Sequence, residues 1–208
     1  MPAVCWALER SFKLSSETIR AFIAISLPDA LKKELDELEK ILKRRCPDVI
    51  KWVEPVSIHL TLVFLGQTTD DKIEEINFGI EDATSGISPM KLTVKDVGAF
   101  PSLNRAQVIW VGLQGELSVL AGLQQRITNN MEQLGFPKEE RPFSPHLTLG
   151  RVRNYTGPED RQKIGKVLSE TKFESAHAIN INEINLMQSK LTPAGAIYTK
   201  LSGISLKS

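Results

Sequence analysis

The tetrapeptide His-Leu-Thr-Leu occurs twice in this chain, once beginning at His59 and again beginning at His146. Successive side chains of a β-strand point to opposite faces, so His59 shares a face with Thr61, and His146 shares one with Thr148. An imidazole can give or take a proton near neutral pH, and a threonine hydroxyl can donate a hydrogen bond. Two such pairs facing each other across a groove would form a site for one small anion, with two proton-transfer groups.

The residues between these polar positions are apolar. Leu60, Leu62 and Phe64 alternate with the first histidine–threonine pair, and Leu147 and Leu149 alternate with the second, so we expect them to face a core. A lone His-x-Thr would most simply be a histidine that is hydrogen-bonded within its own sheet. The repetition at equivalent positions favours a shared chemical role instead. The remaining histidine, at position 177, has no such neighbour, and neither it nor the cysteine at position 46 is given a role.

The elements that must position these strands also repeat. Each half of the chain predicts the order strand, helix, strand, helix, strand, and the two histidines lie 87 residues apart. The same offset aligns Ile23 with Trp110, and each lies in the middle of the first strand of its half. This regularity favours an internal duplication. The predicted strands are 20–27, 58–66, 90–100, 107–113, 146–152, 176–191 and 196–201, and the predicted helices are 28–45, 70–85, 116–135 and 158–170.

Composition narrows the classes of function. The 26 Lys and Arg residues balance 25 Asp and Glu residues, so contact with a nucleic acid would have to be confined to a local groove. Two cysteines exclude a disulfide scaffold and a cysteine-based zinc module, and they suit a reducing, cytoplasmic setting. No apolar run reaches membrane-spanning length, and no membrane partner is expected. We expect an N-terminal extension at residues 1–18 and a single domain over 19–208, with lobes near 20–105 and 106–208 whose elements can interleave.

The repeated motifs resemble the paired His-x-Thr-x motifs of the 2H phosphoesterase superfamily. Within it, the chain is most similar to the RNA 2′,3′-cyclic phosphodiesterases, which are also described as 2′-5′ RNA ligases. The similarity runs from Arg20 to Leu201 and includes "RAFIAISLP", "KWVEPVSIHLTLVFLG", "QVIWVGL", "GFPKEERPFSPHLTLGRV" and "SKLTPAGAIYTKL". One His-x-Thr-x is a weak signal, whereas two, the second preceded by Arg-Pro-Phe-x-Pro-His, are specific.

The resemblance implies an α+β, duplicated bilobal fold in which two antiparallel sheets form a concave central groove with helices on the outside. It implies hydrolysis of RNA 2′,3′-cyclic phosphate ends to 2′-phosphomonoesters without metal or other cofactor. The same reaction run backwards would be an ATP-independent 2′-5′ ligation. RNA ends, tRNA fragments among them, are the implied partners, and a monomer is expected. The implied site residues are His59 as proton donor, His146 as proton acceptor, Thr61 and Thr148 as phosphate ligands, and Arg141 and Phe143 as nucleotide-binding residues.

Some of these residues have other interpretations. Arg141 could form an ion pair with Glu139 or Glu140, and Phe143 could belong to the core. Arg151 and Arg153 could extend a cationic rim or could form a solvated edge. Two departures from the family pattern are Gln107, where relatives often have Arg, and "GAIY" at 195–198, where they often have Gly-Pro-x-Tyr.

Three alternative functions stay open on the residues alone. The histidines could be ligands in a metallohydrolase, although no further ligand lies beside either motif. The groove could hold an RNA end without turning it over. The enzyme could also act on a small cyclic nucleotide.

Overall fold

The structure is a computed structural model that describes residues 17–193 and 195–207. The N-terminal extension expected at residues 1–18 lies outside the described residues except for its last two positions. Thr18 already begins the first strand. None of the helices in the described part of the chain combines the length and apolar character needed to cross a bilayer.

The described residues form four α-helices and nine β-strands, and the predicted helices are confirmed to within a few residues. The helices are α1 (Asp29–Arg45), α2 (Ile73–Thr84), α3 (Leu117–Gln133) and α4 (Pro158–Glu170). The strands are β1 (Thr18–Ser26), β2 (Ile50–Trp52), β3 (His59–Thr69), β4 (Met90–Phe100), β5 (Val108–Gly115), β6 (His146–Val152), β7 (Ile179–Ile181), β8 (Glu183–Thr192) and β9 (Gly195–Ser205).

Helix α1 illustrates how these elements arise from the sequence. Leu31, Leu35, Leu38 and Leu42 recur at helical spacing and are all buried. Asp29 lies in the first turn and three basic residues lie in the last, the arrangement that the helix dipole favours. The other three helices carry similar apolar stripes, and all four therefore cover one side of the sheet.

The strands pair antiparallel throughout, in the order β7-β4-β5-β6-β3-β1-β8-β9, with β2 added on β6. The order consists of two sets, β3-β1-β8-β9 and β6-β5-β4-β7, which we call lobe 1 and lobe 2. They meet between β3 and β6, where Leu60 pairs with Leu147. We call this junction the seam. The expected two antiparallel sheets are therefore present and are joined edge to edge.

The two repeats exchange their third strands. Strand β4, from the first half of the chain, pairs with β5 in lobe 2, while β8, from the second half, pairs with β1 in lobe 1. A division of the chain near residue 105 consequently does not divide the sheet. The single strand expected at 176–191 is wrong in one respect, because it is two strands: β7 at the outer edge of lobe 2, and β8 between β1 and β9 in lobe 1. The alternating pattern runs unbroken through Asn182, where the chain passes between the lobes.

The strand registers refine the alignment of the repeats. Ala24 lies opposite Thr61, and Trp110 lies opposite Thr148. The structural equivalent of Trp110 is therefore Ala24, not Ile23 as the offset of 87 residues indicated. The reason is that the segment from the first strand to the second is one residue longer in the second repeat.

Strand β3 departs from simple alternation. Its register with β1 shifts between the pairs Ala24–Thr61 and Ile23–Val63, which leaves Leu62 as an extra residue in a β-bulge. Directly after this bulge, even-numbered residues of β3 point to the face that carries His59, and odd-numbered residues point to the opposite face. Phe64 therefore shares a face with His59, and its side chain is 54% exposed. The expectation that Phe64 belongs to the core is wrong, whereas Leu60 and Leu62 are buried as expected.

The helices pack on the face of the sheet that carries Leu60. Helices α2 and α3 pack together and contact β9 and β3, while α4 contacts α1 and β4. Within the described part of the chain, no helix packs on the face that carries the histidines. We call this uncovered face the groove face.

Gly98 on the groove face provides a test of this packing. It lies opposite Trp110, and a Cβ atom at this position would stand 2.3 Å from the indole Cζ2. We expect Gly98→Ala to lower the free energy of unfolding by about 1–3 kcal/mol, because the ring must move. The matched control is Gly122→Ala in α3, where no atom lies within 4 Å of the added Cβ. The control should be stabilised by about 0.5–1 kcal/mol through helix propensity. Equal urea-unfolding midpoints for Gly98→Ala and the wild type would contradict the placement of Trp110.

Candidate active site

The two repeated histidines are held in the same way. Nδ1 of His59 lies 2.8 Å from the carbonyl oxygen of Ser57, and Nδ1 of His146 lies 2.7 Å from that of Ser144. A carbonyl oxygen can only accept a hydrogen bond, so each Nδ1 must carry a proton. In the neutral ring the lone pair is then on Nε2. Both imidazoles thus have the same tautomer, with Nε2 left to react.

The acceptor carbonyls belong to short, constrained segments. Ser57 ends a turn of 3₁₀ helix, Pro55–Ser57, which packs against α1. Ser144 is followed by Pro145, which disfavours helical backbone at the serine and leads directly into the strand that begins at His146. Each histidine is therefore the first residue of its strand and is held by the carbonyl of the residue two positions before it.

The seam brings the two pairs together. Leu60 and Leu147 are antiparallel partners whose side chains are completely buried. In this register His59 comes next to Thr148 across the seam, and Thr61 comes next to His146. Side chains at such opposed positions are typically about 4.5–5.5 Å apart at Cβ. The two imidazoles and two hydroxyls thus alternate in a small square at the centre of the groove face.

Aromatic rings enclose His59. The centroid of its ring lies 4.8 Å from that of Phe22 and 5.0 Å from that of Tyr198, which meets it edge-on. Burial lowers the pKa of His59 from its usual value of 6.5, and the hydrogen bond to the Ser57 carbonyl only partly opposes this effect. In the free protein His59 is consequently neutral at neutral pH.

The surroundings of His146 are different. Its ring meets Phe100 edge-on at 5.0 Å, and Phe100 in turn lies 5.2 Å from Trp110. The indole of Trp110 occupies the space left by the missing side chains of Gly98 and Gly112. Its Nε1 is buried and has no hydrogen-bond partner among the described residues. The two histidines therefore share a tautomer but not an environment.

Two cations lie on the same side of β6 as its histidine. Lys51 of β2 pairs with Arg151 of β6, which also lies opposite Val108. Val108 pairs with Phe100, the residue that contacts His146. Like charges directly opposite each other on a sheet are destabilising unless an anion compensates them. Both side chains are exposed, which makes the pair a candidate contact for a phosphate.

Arg141 and Phe143 lie in the connection between α3 and β6, just before His146. The Arg141 side chain is exposed, and among the described residues neither Glu139 nor Glu140 forms a salt bridge with it. Phe143 is half-buried and packs against the core. Contact of either residue with a nucleotide stays a prediction.

Gln107 and Arg153 have their main-chain groups in the lobe 2 sheet. The Gln107 N–H donates to the Phe100 carbonyl, and its own carbonyl accepts from Val152. Arg153 N–H donates to the Val49 carbonyl. Both side chains are exposed, which fits either interpretation of Arg153, a cationic rim or a solvated edge.

Sequence reasoning missed the aromatic residues of the site. Trp110 lies between the buried Ile109 and Val111 on β5, so its position on the histidine face could have been read from the pattern. Strand β1 is buried on both faces around Phe22, so its pattern does not show which face this residue is on. Tyr198 and Phe100 could not have been placed in this way, because they reach the histidines from β9 and β4. β4 and β9 are hairpin partners of β5 and β8. The pairings that bring these hairpins beside the histidines, β5 with β6 and β8 with β1, are distant in sequence.

Other surface features lie away from the groove face. A depression of about 490 Å³ between the end of α1 and α4 contains Arg45, Lys163 and Cys46, with Arg45 paired to Glu170. Burial raises the pKa of the Cys46 thiol to about 11, so it is not a nucleophile at neutral pH. Among residues 17–193 and 195–207, no group of three or more His, Cys, Asp or Glu side chains is arranged to hold a metal ion.

The family model described as "LigT like Phosphoesterase" matches this chain twice, at residues 25–110 and at residues 111–198. The second match begins 86 residues after the first, which is the offset between Ala24 and Trp110 in the sheet. The paired matches support the internal duplication.

Curated relatives are similar over nearly their whole length. An RNA 2′,3′-cyclic phosphodiesterase of Methanothermobacter thermautotrophicus is 32% identical over 88% of this chain and 96% of its own. That of Methanocaldococcus jannaschii is 35% identical over 86% of this chain and 96% of its own.

Solved structures are similar to this chain in fold. TT0787 of Thermus thermophilus has a TM-score of 0.74 and 23% identity, and it covers 90% of this chain and 98% of its own. E. coli LigT complexed with 3′-AMP has a TM-score of 0.74 and 22% identity, and it covers 92% of this chain and 100% of its own.

The enclosure of His59 can be tested by NMR. We expect its imidazole to titrate below 6.5 in the free protein, because burial penalises the charged form. Nitrogen shifts should show the Nδ1–H tautomer above that pH. Tyr198→Ala should move the titration upward, because it admits water to the ring. A pKa of 6.5 or higher in the wild type would contradict the enclosure.

Proposed function

The chain belongs to the LigT-like phosphoesterase family, and on this basis we propose that it hydrolyses 2′,3′-cyclic phosphate ends of RNA to 2′-phosphomonoesters. The observation that carries the proposal is the paired arrangement at the seam, where His59 and His146 have the same tautomer and alternate with Thr61 and Thr148. The relatives from Methanothermobacter thermautotrophicus and Methanocaldococcus jannaschii are both named RNA 2′,3′-cyclic phosphodiesterases, which supports the same substrate class.

The two imidazoles suit an in-line displacement at phosphorus. Nε2 of neutral His146 takes a proton from water as its oxygen attacks the phosphorus. The bond from phosphorus to O3′ breaks on the opposite side, and protonated His59 gives its Nε2 proton to the departing oxygen. The products are a 2′-phosphomonoester and a 3′-hydroxyl. One proton is taken up and one is given, so His146 ends protonated and His59 ends neutral.

The hydroxyls of Thr61 and Thr148 suit the non-bridging oxygens of the phosphate, because each can donate one hydrogen bond. Arg141 would add a bidentate contact, and Phe143 would contact the base. The cations Lys51 and Arg151 would attract the adjoining backbone phosphate. A bound anion also favours the charged imidazolium, so it would offset the burial that lowers the pKa of His59.

The same geometry supports the reverse reaction. A 5′-hydroxyl in place of water would attack the cyclic phosphate with the same acid and base, forming a 2′-5′ linkage and a 3′-hydroxyl. No ATP is consumed, because the phosphorus–oxygen bond that breaks supplies the phosphoryl group directly. Because the charge of the chain is balanced, contact with RNA would be confined to a local groove. RNA ends, tRNA fragments among them, are the proposed partners. A monomer in the cytoplasm, the setting that the two cysteines favour, is part of the proposal.

The decisive experiment uses an RNA oligonucleotide that ends in a 2′,3′-cyclic phosphate, incubated with the protein in excess chelator. We expect conversion to a 2′-phosphomonoester, identified by phosphorus NMR and by its sensitivity to phosphatase. Recovery of bound but unchanged oligonucleotide would support a binding module instead. Activity abolished by the chelator and restored by a divalent metal would support a metallohydrolase. If the protein hydrolysed small cyclic nucleotides but not the oligonucleotide, its substrates would be small cyclic nucleotides and not RNA ends.

Each seam histidine should be required for this turnover. We expect His59→Ala and His146→Ala each to lower the rate on the order of 10²–10⁴-fold, the usual contribution of a positioned acid or base. His177→Ala is the matched control, because its ring pairs with Glu34 outside the groove. A similar loss in all three variants would point to instability rather than to chemistry.

The pH profile of kcat/KM assigns the acid and the base. If His59 is the acid, it must be protonated, so activity should fall as the pH rises through its lowered pKa, below 6.5. The alkaline limb should then coincide with the His59 titration measured by NMR. If His59 is instead the base, activity will fall as the pH drops through that same value. An acidic limb at the His59 titration would therefore reverse the assignment.

A further inference from the structure

Ser26 is the last residue of β1 and lies directly opposite His59 in the strand register. Residues opposite each other in an antiparallel pair point to the same face, so the Ser26 hydroxyl is on the groove face. Its side chain is exposed. Because β1 lies farther from the seam than β3, Ser26 stands on the lobe 1 side of this histidine.

Asn185 of β8 holds this serine. Its Nδ2 donates to Oγ of Ser26 at 3.3 Å, and Asn185 lies opposite Ala24, also on the groove face. Its side chain is only 2% exposed, and its Oδ1 has no hydrogen-bond partner among the described residues. A buried amide with one long hydrogen bond and one unpaired oxygen destabilises a fold relative to an apolar residue of the same shape. Folding alone therefore does not account for Asn185.

The contact also leaves the serine ready to donate. Asn185 gives its proton to the Ser26 oxygen and so does not use the hydroxyl hydrogen. That hydrogen is free to turn toward a ligand of His59. A hydroxyl in this state is a hydrogen-bond donor for an oxygen of a bound ligand.

Lobe 2 lacks both residues of this pair. Gly112 is opposite His146 where Ser26 is opposite His59. Gly98 lies opposite Trp110 where Asn185 lies opposite Ala24. The hydroxyl–amide pair is therefore present beside one histidine and replaced by an indole beside the other. It breaks the two-fold symmetry of the site at the cross-strand partner of His59.

We propose that Ser26 is a further substrate-binding residue, positioned by Asn185, which donates a hydrogen bond to the terminal ribose–phosphate on the side of O3′. The inference rests on the proposed function, in which His59 protonates O3′. The ribose that carries this oxygen then lies over lobe 1, where Ser26 is. A cyclic phosphate end has a ribose on one side and the attacking water on the other. A hydrogen-bond donor that is present on just one side of the site would therefore fix the orientation of the cyclic phosphate.

The test compares kcat/KM of Ser26→Ala and Ser26→Thr on the cyclic-phosphate oligonucleotide. We expect Ser26→Ala to lose about 10- to 100-fold, as for a hydrogen bond to a charged group. Ser26→Thr keeps the hydroxyl and should stay near wild type. The control is Ser205→Ala, an exposed serine of the edge strand β9, which should leave kcat/KM unchanged. Thermal unfolding of every variant separates lost binding from lost stability.

The role of Asn185 is tested by a double-mutant cycle. Asn185→Ala should lower kcat/KM in the wild type but have little further effect in the Ser26→Ala background, because it acts through the serine. Additive losses would overturn the positioning role. Wild-type rates in Ser26→Ala, or equal losses in Ser26→Ala and Ser26→Thr, would overturn the substrate contact.

The two proposals can fail separately. If the wild type does not hydrolyse the oligonucleotide, the proposed function fails. The contact of Ser26 with the oligonucleotide is then tested by comparing the binding affinities of the wild type and Ser26→Ala. Weaker binding by Ser26→Ala alone would support it, and equal binding would overturn it.

Discussion

The pairing of β3 with β6 through Leu60 and Leu147 is the contact on which the rest of the site depends. Both leucines are completely buried, so a shift of one residue in this register would turn each histidine into the core. The hydrophobic effect therefore fixes the position of two polar side chains on the opposite face of the sheet. The hydrogen bonds of the imidazoles to the carbonyls of Ser57 and Ser144 then fix the tautomer.

Because β4 and β8 are exchanged, the two repeats share one continuous order of paired strands. Neither repeat can complete its own set of strands, because the first strand of each pairs with the third strand of the other. A lobe built from one repeat alone would expose an unpaired strand edge. It would also lose one ring that packs on its histidine, Tyr198 in lobe 1 and Phe100 in lobe 2. The duplicated sequence thus folds as a single unit, with the seam at its centre.

Local patterns predicted the parts of this molecule that depend on neighbours in sequence. The leucine stripe of α1 and the two tetrapeptides identify a helix, two strands and the four side chains of the square, because helical and strand periodicities are properties of short segments. The bulge at Leu62 and the break at Asn182 were not predictable. Both are set by pairing with strands more than 30 residues away, and an alternating pattern contains no information about its partner.

The two sides of the proposed reaction differ although the scaffold is symmetric, so the asymmetry must come from the surroundings of the histidines. Phe22 and Tyr198 enclose one ring, and burial there lowers the pKa of His59. Trp110 packs into two glycines on the other side, where no equivalent enclosure forms among the described residues. Duplication accounts for the matched tautomers, since the strand and its preceding turn were copied together. The rings around the two histidines differ between the lobes, so two identical tetrapeptides lie in different surroundings.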